Sequence, residues 1–398
     1  MRKIQFLFIG GGLLLSFFLV QCAKDSPANN NSSASYPNVL AAFGSSIDLN
    51  NLVDYAGQSK PSYIVKDNTG SNGITNAKAT LGRVLFYDKR LSIDSTVACA
   101  SCHIQQFAFS DTAIASRGVA SGLTGRHSMR LVNSRFAVET KFFWDERAAT
   151  LEAQTTKPIQ DHAEMGFSGQ SGRPGLNDLL TRLSSLGYYN ELFQFVYGDK
   201  AVTEARLQEC LAQFIRSIQS FDSKYDAGRA QVTNDNVDFP NFTAQENQGK
   251  NLFLSPPVFD ATSTRTSGGA GCNGCHGAPE FDIAPNSGNN GIIGSLAGGQ
   301  DQTNTRAPSL RDLANQSGTP NGPMMHTGVI ATLQAAIGHY GTINANPNNT
   351  RLDPKLKPNG IGQKLNLNAQ EVNALIAFLK TLTGKNIYTD PKWGNPFK

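Results

Sequence analysis

Two stretches of the chain repeat apolar residues every three or four positions, the spacing that places them on one face of an α-helix. The first stretch covers residues 203–221, with apolar residues at Leu207, Cys210, Leu211, Phe214, Ile215 and Ile218. The second covers residues 369–383, with apolar residues at Val372, Leu375, Ile376, Leu379 and Leu382. Asn368 and Glu371 form a capping-box pattern before the second stretch, and Gly384 follows it. The sequence therefore predicts a helix in each stretch.

The strict alternation of apolar and polar residues that marks a β-strand is scarce in this sequence. Long segments without periodicity separate the predicted helices, at residues 226–246, 284–304 and 343–364. Loops of this length are uncommon in compact domains, unless something other than side chains fills the core. We predict a mostly α fold with long irregular loops, and the chain is long enough for two or three domains.

The first 22 residues have the organisation of an export signal. Two basic residues precede a mostly apolar run at 4–20, which is too short for a mature membrane span. The run ends in Leu19-Val20-Gln21-Cys22, a sequence similar to the lipobox of bacterial lipoproteins, in which the cysteine is acylated. We predict a lipoprotein-type signal peptide at 1–22 and an exported chain, periplasmic or anchored to a membrane through Cys22. An ordinary cleaved signal peptide is the alternative.

The segment that follows the leader, residues 23–45, is predicted to be a flexible tether, because its first part is rich in Asn, Ser and Ala. The formal net charge of the whole chain is +4, and two of those charges belong to Arg2 and Lys3 in the leader. A balance so close to neutral, without any basic run, argues against nucleic-acid binding. The only membrane contact that we expect is the lipid anchor.

The chemistry of the chain is indicated by two C-x-x-C-H motifs, Cys99-Ala-Ser-Cys102-His103 and Cys272-Asn-Gly-Cys275-His276. This motif attaches a c-type haem: the two thiols form thioethers with the porphyrin, and the histidine ligates the iron. The alternatives are one zinc site made of four cysteines, or two disulfides. The histidine after both pairs favours two covalently bound haem c groups. Cys210 falls on a predicted helix face and is expected to be a buried core thiol.

One haem per domain is the simplest division of the chain, since 173 residues separate His103 from His276. We predict two cytochrome-c-like haem domains, an N-terminal domain at 46–225 and a C-terminal domain at 226–398.

The sequence also resembles the bacterial dihaem cytochrome c peroxidases and their relatives of the MauG type. The resemblance runs from about Leu81 to Gly384. It lies in LGRVLFYDKRLS (81–92), CASCH (99–103), FFWDERAATLEAQ (142–154), HAEMG (162–166), CNGCH (272–276), APSLRDL (307–313), MMHTG (324–328) and IAFLKTLTG (376–384). The order and spacing of these segments around two haem motifs make the resemblance specific.

The resemblance implies that the N-terminal haem is the peroxidatic site and the C-terminal haem takes in and relays electrons. Trp144 matches the tryptophan between the two haems of that family. Glu164 and Gln154 match the polar residues above the open face of the peroxidatic haem. Cleavage of peroxide needs a general acid–base at such a face, and Glu164 suits that task. From composition alone, Glu164 would be a surface carboxylate and Trp144 a core aromatic residue.

The sixth ligand of the C-terminal haem is the first point at which this chain departs from the classical peroxidases. Those members have a methionine where this chain has His339-Tyr340-Gly341, and MauG-like members have a tyrosine. The resemblance therefore implies Tyr340 as the iron ligand. The alternative is that Tyr340 belongs to a helix core and that Met324 or Met325 ligates the iron.

His127 is the second departure. It stands where the family has an asparagine that helps to bind a calcium ion, and imidazole is a poor calcium ligand. Backbone carbonyl groups near Arg306 and Pro308 could still serve, so calcium binding stays open.

The function that this sequence predicts is peroxidase activity, in which H2O2 is reduced to water with electrons from a small redox protein, either a cytochrome c or a cupredoxin. The alternative is a MauG-like oxidase that acts on a partner protein by long-range electron transfer. A third hypothesis is a dihaem electron carrier without enzymatic activity, which Glu164 and Gln154 argue against. The sequence does not identify the donor.

Overall fold

The computed structural model describes residues 34–398. The predicted signal peptide and Cys22 lie outside these residues. In the described part of the chain, no helix is long and apolar enough to cross a membrane.

Helices dominate the regular structure of the described residues. The α-helices are α1 Pro37–Phe43, α2 Asn76–Tyr87, α3 Cys99–Cys102, α4 Leu151–Thr155, α5 Lys157–Gln160, α6 Leu176–Ser184, α7 Gly187–Tyr197, α8 Glu204–Ser217, α9 Lys224–Arg229, α10 Ala244–Leu254, α11 Leu333–Gly341 and α12 Ala369–Lys380. Single 3₁₀ turns lie at Gly44–Ser46, Lys89–Leu91, Gln105–Phe107, Val119–Ser121, Ser134–Phe136, Cys272–Gly274, Pro354–Leu356, Pro358–Gly360 and Pro391–Trp393.

The named β-strands of the described residues form two small antiparallel pairs. Strand β1 (Pro257–Phe259) pairs with β2 (Arg265–Gly268), and β3 (His276–Gly277) pairs with β4 (Asp282–Ile283). In the second pair, His276, the last residue of the second haem motif, lies opposite Ile283. The mostly α prediction is therefore confirmed, and long irregular loops join the helices.

Both helices predicted from periodicity are present. The Thr203 side chain accepts a hydrogen bond from Arg206 N at the start of α8. At the start of α12, Asn368 and Glu371 form the predicted capping box. The predicted apolar face of α8 is buried. In α12, Leu375 and Leu379 are buried as predicted, whereas Val372 and Ile376 are half-buried, and Ala374 and Phe378 are buried instead.

The predicted tether is wrong at its C-terminal end. Residues 37–43 form α1, whose Val39 and Phe43 are buried in the core. The Asn- and Ser-rich composition stops at Ser35, and the apolar residues that follow provide a face that can pack.

The buried apolar residues form two large clusters within the compact unit Tyr36–Lys398. The first cluster draws mainly on residues 39–218, and the second on residues 225–382. The C-terminal segment returns to the first cluster, where Trp393 is buried and its Nε1–H donates to Ser217 O. The boundary between the haem domains at residues 225 and 226 stays a prediction.

Each cluster contains a close helix crossing at a glycine. A Cβ atom on Gly82 in α2 would lie 2.0 Å from Cys210 O in α8. A Cβ atom on Gly249 in α10 would lie 1.9 Å from Ala374 O in α12. These distances are far below van der Waals contact, so only glycine permits either crossing.

We expect Gly249→Ala to destabilise the protein by about 1–3 kcal/mol, because the methyl group forces α10 away from α12. Urea unfolding of the haem-loaded protein measures the effect. Gly73→Ala is the matched control, since a Cβ atom there would meet nothing within 4 Å. Equal unfolding midpoints for the two variants would contradict the close crossing.

Candidate haem sites

The first haem motif lies on the wall of a cavity of about 510 Å³. Helix α3 is one turn long and presents Cys99 and Cys102 to this cavity, and His103 follows the helix directly. The apolar lining includes Phe86, Val97, Leu131, Val132, Phe142, Leu211 and Ile215. Its volume and apolar walls are those of a site for a large organic group.

The second motif lines a separate cavity of about 540 Å³. Cys272 begins a single 3₁₀ turn, Cys275 follows that turn, and His276 begins β3. The apolar lining includes Leu254, Phe259, Ile283, Leu333, Ile337, Leu365 and Leu379. Two cavities of similar size thus each contain one complete C-x-x-C-H motif.

This arrangement rules out the alternatives that the sequence left open. Neither motif pair is joined by a disulfide. The two pairs line different cavities, and no group of three or more His, Cys, Asp or Glu residues among the described residues could hold a metal ion. The buried Cys210 thiol is free and packs in the first cluster, as predicted.

The two motif histidines are suited to ligate iron through Nε2. The Nδ1 atom of His103 lies 3.2 Å from Phe109 O and 3.1 Å from Ser128 Oγ, which fixes the ring. The Nδ1 atom of His276 is buried without a hydrogen-bond partner. Burial lowers the pKa of His103, and it lowers that of His276 to about 4, so both rings are neutral at pH 7. Neutral imidazole is the form that ligates metals. The residues present therefore fit two haem c groups.

Glu164 and Gln154 both line the first cavity. Gln154 belongs to the short helix α4, which Thr150 caps. Glu164 lies in a turn held by Asp161, whose Oδ1 atom accepts the Glu164 backbone N–H at 3.0 Å. The structure thus brings a carboxyl group and an amide to the cavity of the first motif.

The Glu164 carboxyl group lies in an environment that favours its neutral form. Burial and the negative charge of Asp161 raise its pKa to about 7, although the nearby Arg147 acts in the opposite direction. A carboxyl group with that pKa exchanges its proton readily at neutral pH, as a general acid–base must.

Trp144 lines both cavities. Its Nε1–H donates to His127 O at 2.8 Å, and its own carbonyl oxygen accepts the backbone N–H groups of Thr305 and Arg306, both at 3.0 Å. Hydrogen bonds therefore hold both the indole N–H and the backbone of Trp144 in the wall that the two cavities share.

Comparison with known proteins agrees with these features. The model of the di-haem cytochrome c peroxidase family matches residues 76–234. The methylamine utilization protein MauG of Methylophilus methylotrophus is 30% identical over 325 residues, which cover 79% of this chain and 84% of that protein. This chain belongs to the dihaem cytochrome c peroxidase and MauG family.

Further members of the family show the same similarity. The cytochrome c551 peroxidase of Nitrosomonas europaea is 26% identical over 321 residues, which cover 77% of this chain and 80% of that protein. A crystal structure of a MauG-like protein associated with microbial copper homeostasis matches with a TM-score of 0.66 at 26% identity, covering 85% of this chain and 99% of that one. The dihaem peroxidase BthA from Burkholderia thailandensis has the same fold, with a TM-score of 0.54 at 21% identity over 87% of this chain and 96% of that one.

The family has two haem groups, and the second cavity of this member contains three candidates for the sixth iron ligand. Tyr340, Met324 and Met325 all line it. The Asn290 side-chain amide donates to Tyr340 Oη at 3.3 Å and lies 3.0 Å from Met325 Sδ. Burial raises the pKa of Tyr340 to about 12. Tyr340 and Met325 thus contact the same Asn290 amide, and both line the second cavity.

His127 occupies the position at which the resemblance implies a calcium-binding asparagine. Its side chain is buried and forms contacts within the protein. Its Nδ1 atom lies 3.0 Å from Ala113 O, and its backbone N–H donates to His326 O at 2.7 Å. His127 also provides the carbonyl oxygen that holds Trp144. In this structure the residue has a role in packing, and calcium binding stays an open prediction.

Several residues of the site were missed by the sequence analysis. Ser128 contacts His103, Asn290 contacts the candidate ligands Tyr340 and Met325, and Arg130 lines both cavities. The sequence contains no periodic signal for them, because each lies in a loop and reaches the site only through the tertiary fold. The contact between Ser128 Oγ and His103 Nδ1 becomes apparent only in the folded structure.

We expect the variant Cys272→Ser/Cys275→Ser to lose one covalent haem and to keep the other, because the two motifs serve separate cavities. Intact mass under denaturing conditions, after expression with c-type maturation, counts the haems. Cys210→Ser is the control and should keep both haems, since Cys210 lies in a helix core. Loss of both haems from the double variant, or of one from the control, would contradict the assignment.

Proposed function

We propose that this protein is a peroxidase that reduces H2O2 to water at the first cavity, with electrons that enter through the second. The observation that carries the proposal is the presence of Glu164 and Gln154 in the cavity of the first haem motif. The electrons come from a small exported redox protein, either a cytochrome c or a cupredoxin. Export to the periplasm, with an anchor at Cys22, is part of the proposal.

The residues that hold the two cofactors are those of the two motifs. Cys99 and Cys102 would bind the peroxidatic haem covalently, with His103 as its iron ligand; Cys272, Cys275 and His276 would do the same for the electron-transfer haem. When bound, the first haem supplies the iron at which the O–O bond of peroxide is cleaved, and the second supplies a redox centre.

Glu164 moves the proton that this cleavage requires. Its carboxylate accepts a proton from the inner oxygen of H2O2 and returns it to the outer oxygen, which leaves as water. The complete reaction takes up two electrons and two further protons and forms two water molecules. A pKa of about 7 suits both halves of this transfer, since the group can accept and release the proton at similar cost.

Gln154 positions the peroxide. No described residue forms a hydrogen bond with its side-chain amide, so both its donor and its acceptor remain available to a molecule in the cavity. Donation from the amide stabilises the negative charge that develops on oxygen during cleavage.

Trp144 provides the contact through which the two cavities communicate. It lines both of them and is fixed by hydrogen bonds at its ring nitrogen and its carbonyl oxygen. A rigid aromatic ring in a shared wall shortens the gap between the two redox centres, which favours electron transfer through that ring.

A second function is favoured by Tyr340. In this proposal the protein is a MauG-like oxidase that removes electrons from a partner protein over a long distance. Tyr340 would ligate the iron in the second cavity, and its phenolate would stabilise oxidised states of that haem. The observation in favour is that Tyr340 lines this cavity, where its Oη atom accepts a hydrogen bond from the Asn290 amide at 3.3 Å. An electron carrier without peroxide chemistry would have no use for Glu164 at the first cavity.

We expect Glu164→Gln to lower peroxide turnover by about 10²–10⁴-fold, because the variant lacks the group that moves the proton. Steady-state oxidation of a reduced cytochrome c by H2O2 measures turnover, and mass confirms both haems. Glu209→Gln is the matched control, since Glu209 pairs with Lys78 near the surface. Near wild-type turnover in Glu164→Gln would show that another group moves the proton.

The pH dependence tests the same carboxylate. Because the pKa of Glu164 is raised to about 7, the group is protonated below that pH and cannot accept a proton from peroxide. In the wild type, turnover should therefore rise as the pH increases through about 7 and level off above it. Turnover that is unchanged between pH 5 and pH 9 would argue against Glu164 as the base.

The identity of the sixth ligand distinguishes the two proposals. We expect Tyr340→Phe to abolish the low-spin signal of the oxidised second haem, because in the MauG-like proposal the phenol would be the iron ligand. Met324→Leu and Met325→Leu should leave that signal intact, and they serve as matched controls. If the signal survives Tyr340→Phe and disappears in a methionine variant, the MauG-like proposal fails and the classical peroxidase proposal remains.

A further inference from the structure

Four consecutive residues, His127 to Arg130, line both cavities. Ser128 is in contact with the first motif: its hydroxyl donates to Cys102 O at 2.7 Å and lies 3.1 Å from Nδ1 of His103. Arg130 lines the cavity of the second motif as well as that of the first. This segment, which we call the shared wall, is therefore common to both cavities.

Arg130 is the charged residue of the shared wall, and its charge has no close counterion. Its Nη2 atom donates to Ser309 O at 2.9 Å, and its buried Nε atom has no hydrogen-bond partner. None of the ion pairs among residues 34–398 includes Arg130; Asp312 acts on it only at longer range. Burial lowers the pKa of Arg130 to about 10, so the guanidinium is still charged at pH 7.

A charged guanidinium in an apolar wall is costly unless an anion pairs with it. A haem c group carries two propionate carboxylates, and the planar fork of arginine binds carboxylates with two parallel hydrogen bonds. The uncommitted donors of Arg130 lie where a carboxylate in either cavity could meet them. A haem propionate is therefore the kind of anion that the unpaired Arg130 guanidinium needs.

Arg306, the other arginine that lines both cavities, is less available to bind a propionate. The Nη2 atom of Arg306 lies 4.0 Å from Oδ1 of the buried Asp282, and its Nη1 donates to Glu139 O. Asp282 balances part of this charge. Of the two arginines, Arg130 is therefore the one that lacks an anion.

We propose that Arg130 binds haem propionate in the shared wall and that its charge sets the reduction potentials of both haems together. This inference rests on the proposed function only in requiring a haem in each cavity. A positive charge stabilises the reduced form of a nearby haem, because reduction adds one electron. Removal of that charge should therefore lower both potentials at once.

The test is a spectroscopic redox titration of the holoprotein, in which the two haems are followed separately. Arg130→Gln is expected to shift both potentials downward. Arg130→Lys keeps the charge but replaces the planar fork with a single ammonium group, so both potentials should shift in the same direction by a smaller amount. The lysine variant also serves as the test if the glutamine variant does not mature.

Two control variants each remove one positive charge, as Arg130→Gln does, from a residue that lines only one of the two cavities. Arg117 lines only the first cavity and Lys355 only the second, and both are exposed. Arg117→Gln and Lys355→Gln should each shift at most one potential. The inference is overturned if the Arg130 variants shift only one potential or none, or if either control shifts both.

Counting the haems in each variant by mass separates this inference from the proposed function. A wild-type chain without two haems would refute the function. Two haems with potentials that do not respond to Arg130 would refute only the role of Arg130.

Discussion

The fold depends on one constraint, which is that a bound group must fill two large apolar cavities. Protein interiors are packed as densely as organic crystals, and cavities of about 510 and 540 Å³ are far larger than side-chain packing leaves. A covalently attached macrocycle solves this problem, because it provides the core around which loops can wrap. This explains why long segments with little regular structure, such as 284–304, still fold into a compact unit.

The second constraint is that the two cavities share a wall. Trp144, the segment from His127 to Arg130, and Arg306 all belong to both linings. Hydrogen bonds from Trp144 to His127 O and from residue 305 to Trp144 O fasten this wall to loops from both parts of the chain. The two sites are therefore coupled by geometry, since a change in the wall affects both. In the proposed function, this coupling would serve the transfer of electrons from the second site to the first.

Much of this arrangement could be predicted from the sequence, because the relevant signals are local. The C-x-x-C-H motifs, the face of α12 and its capping box are each contained in a few consecutive residues, and family resemblance added Glu164, Gln154 and Trp144. The remainder depends on contacts between distant segments. Arg130 lacks a counterion only because of where the fold places it, and α1 was missed because its short apolar face follows a polar segment. The choice between Tyr340 and Met325 also stays open, since Asn290 contacts both.

The most direct test of the account is a titration of the fully reduced protein with H2O2, with both haems followed by absorbance. Reduction of one peroxide molecule to water consumes two electrons, and each reduced haem can supply one. The account predicts that one equivalent of H2O2 per chain oxidises both haems together, because the shared wall connects them. Oxidation of a single haem, or no oxidation at one equivalent, would contradict the claim that the two sites work as a unit.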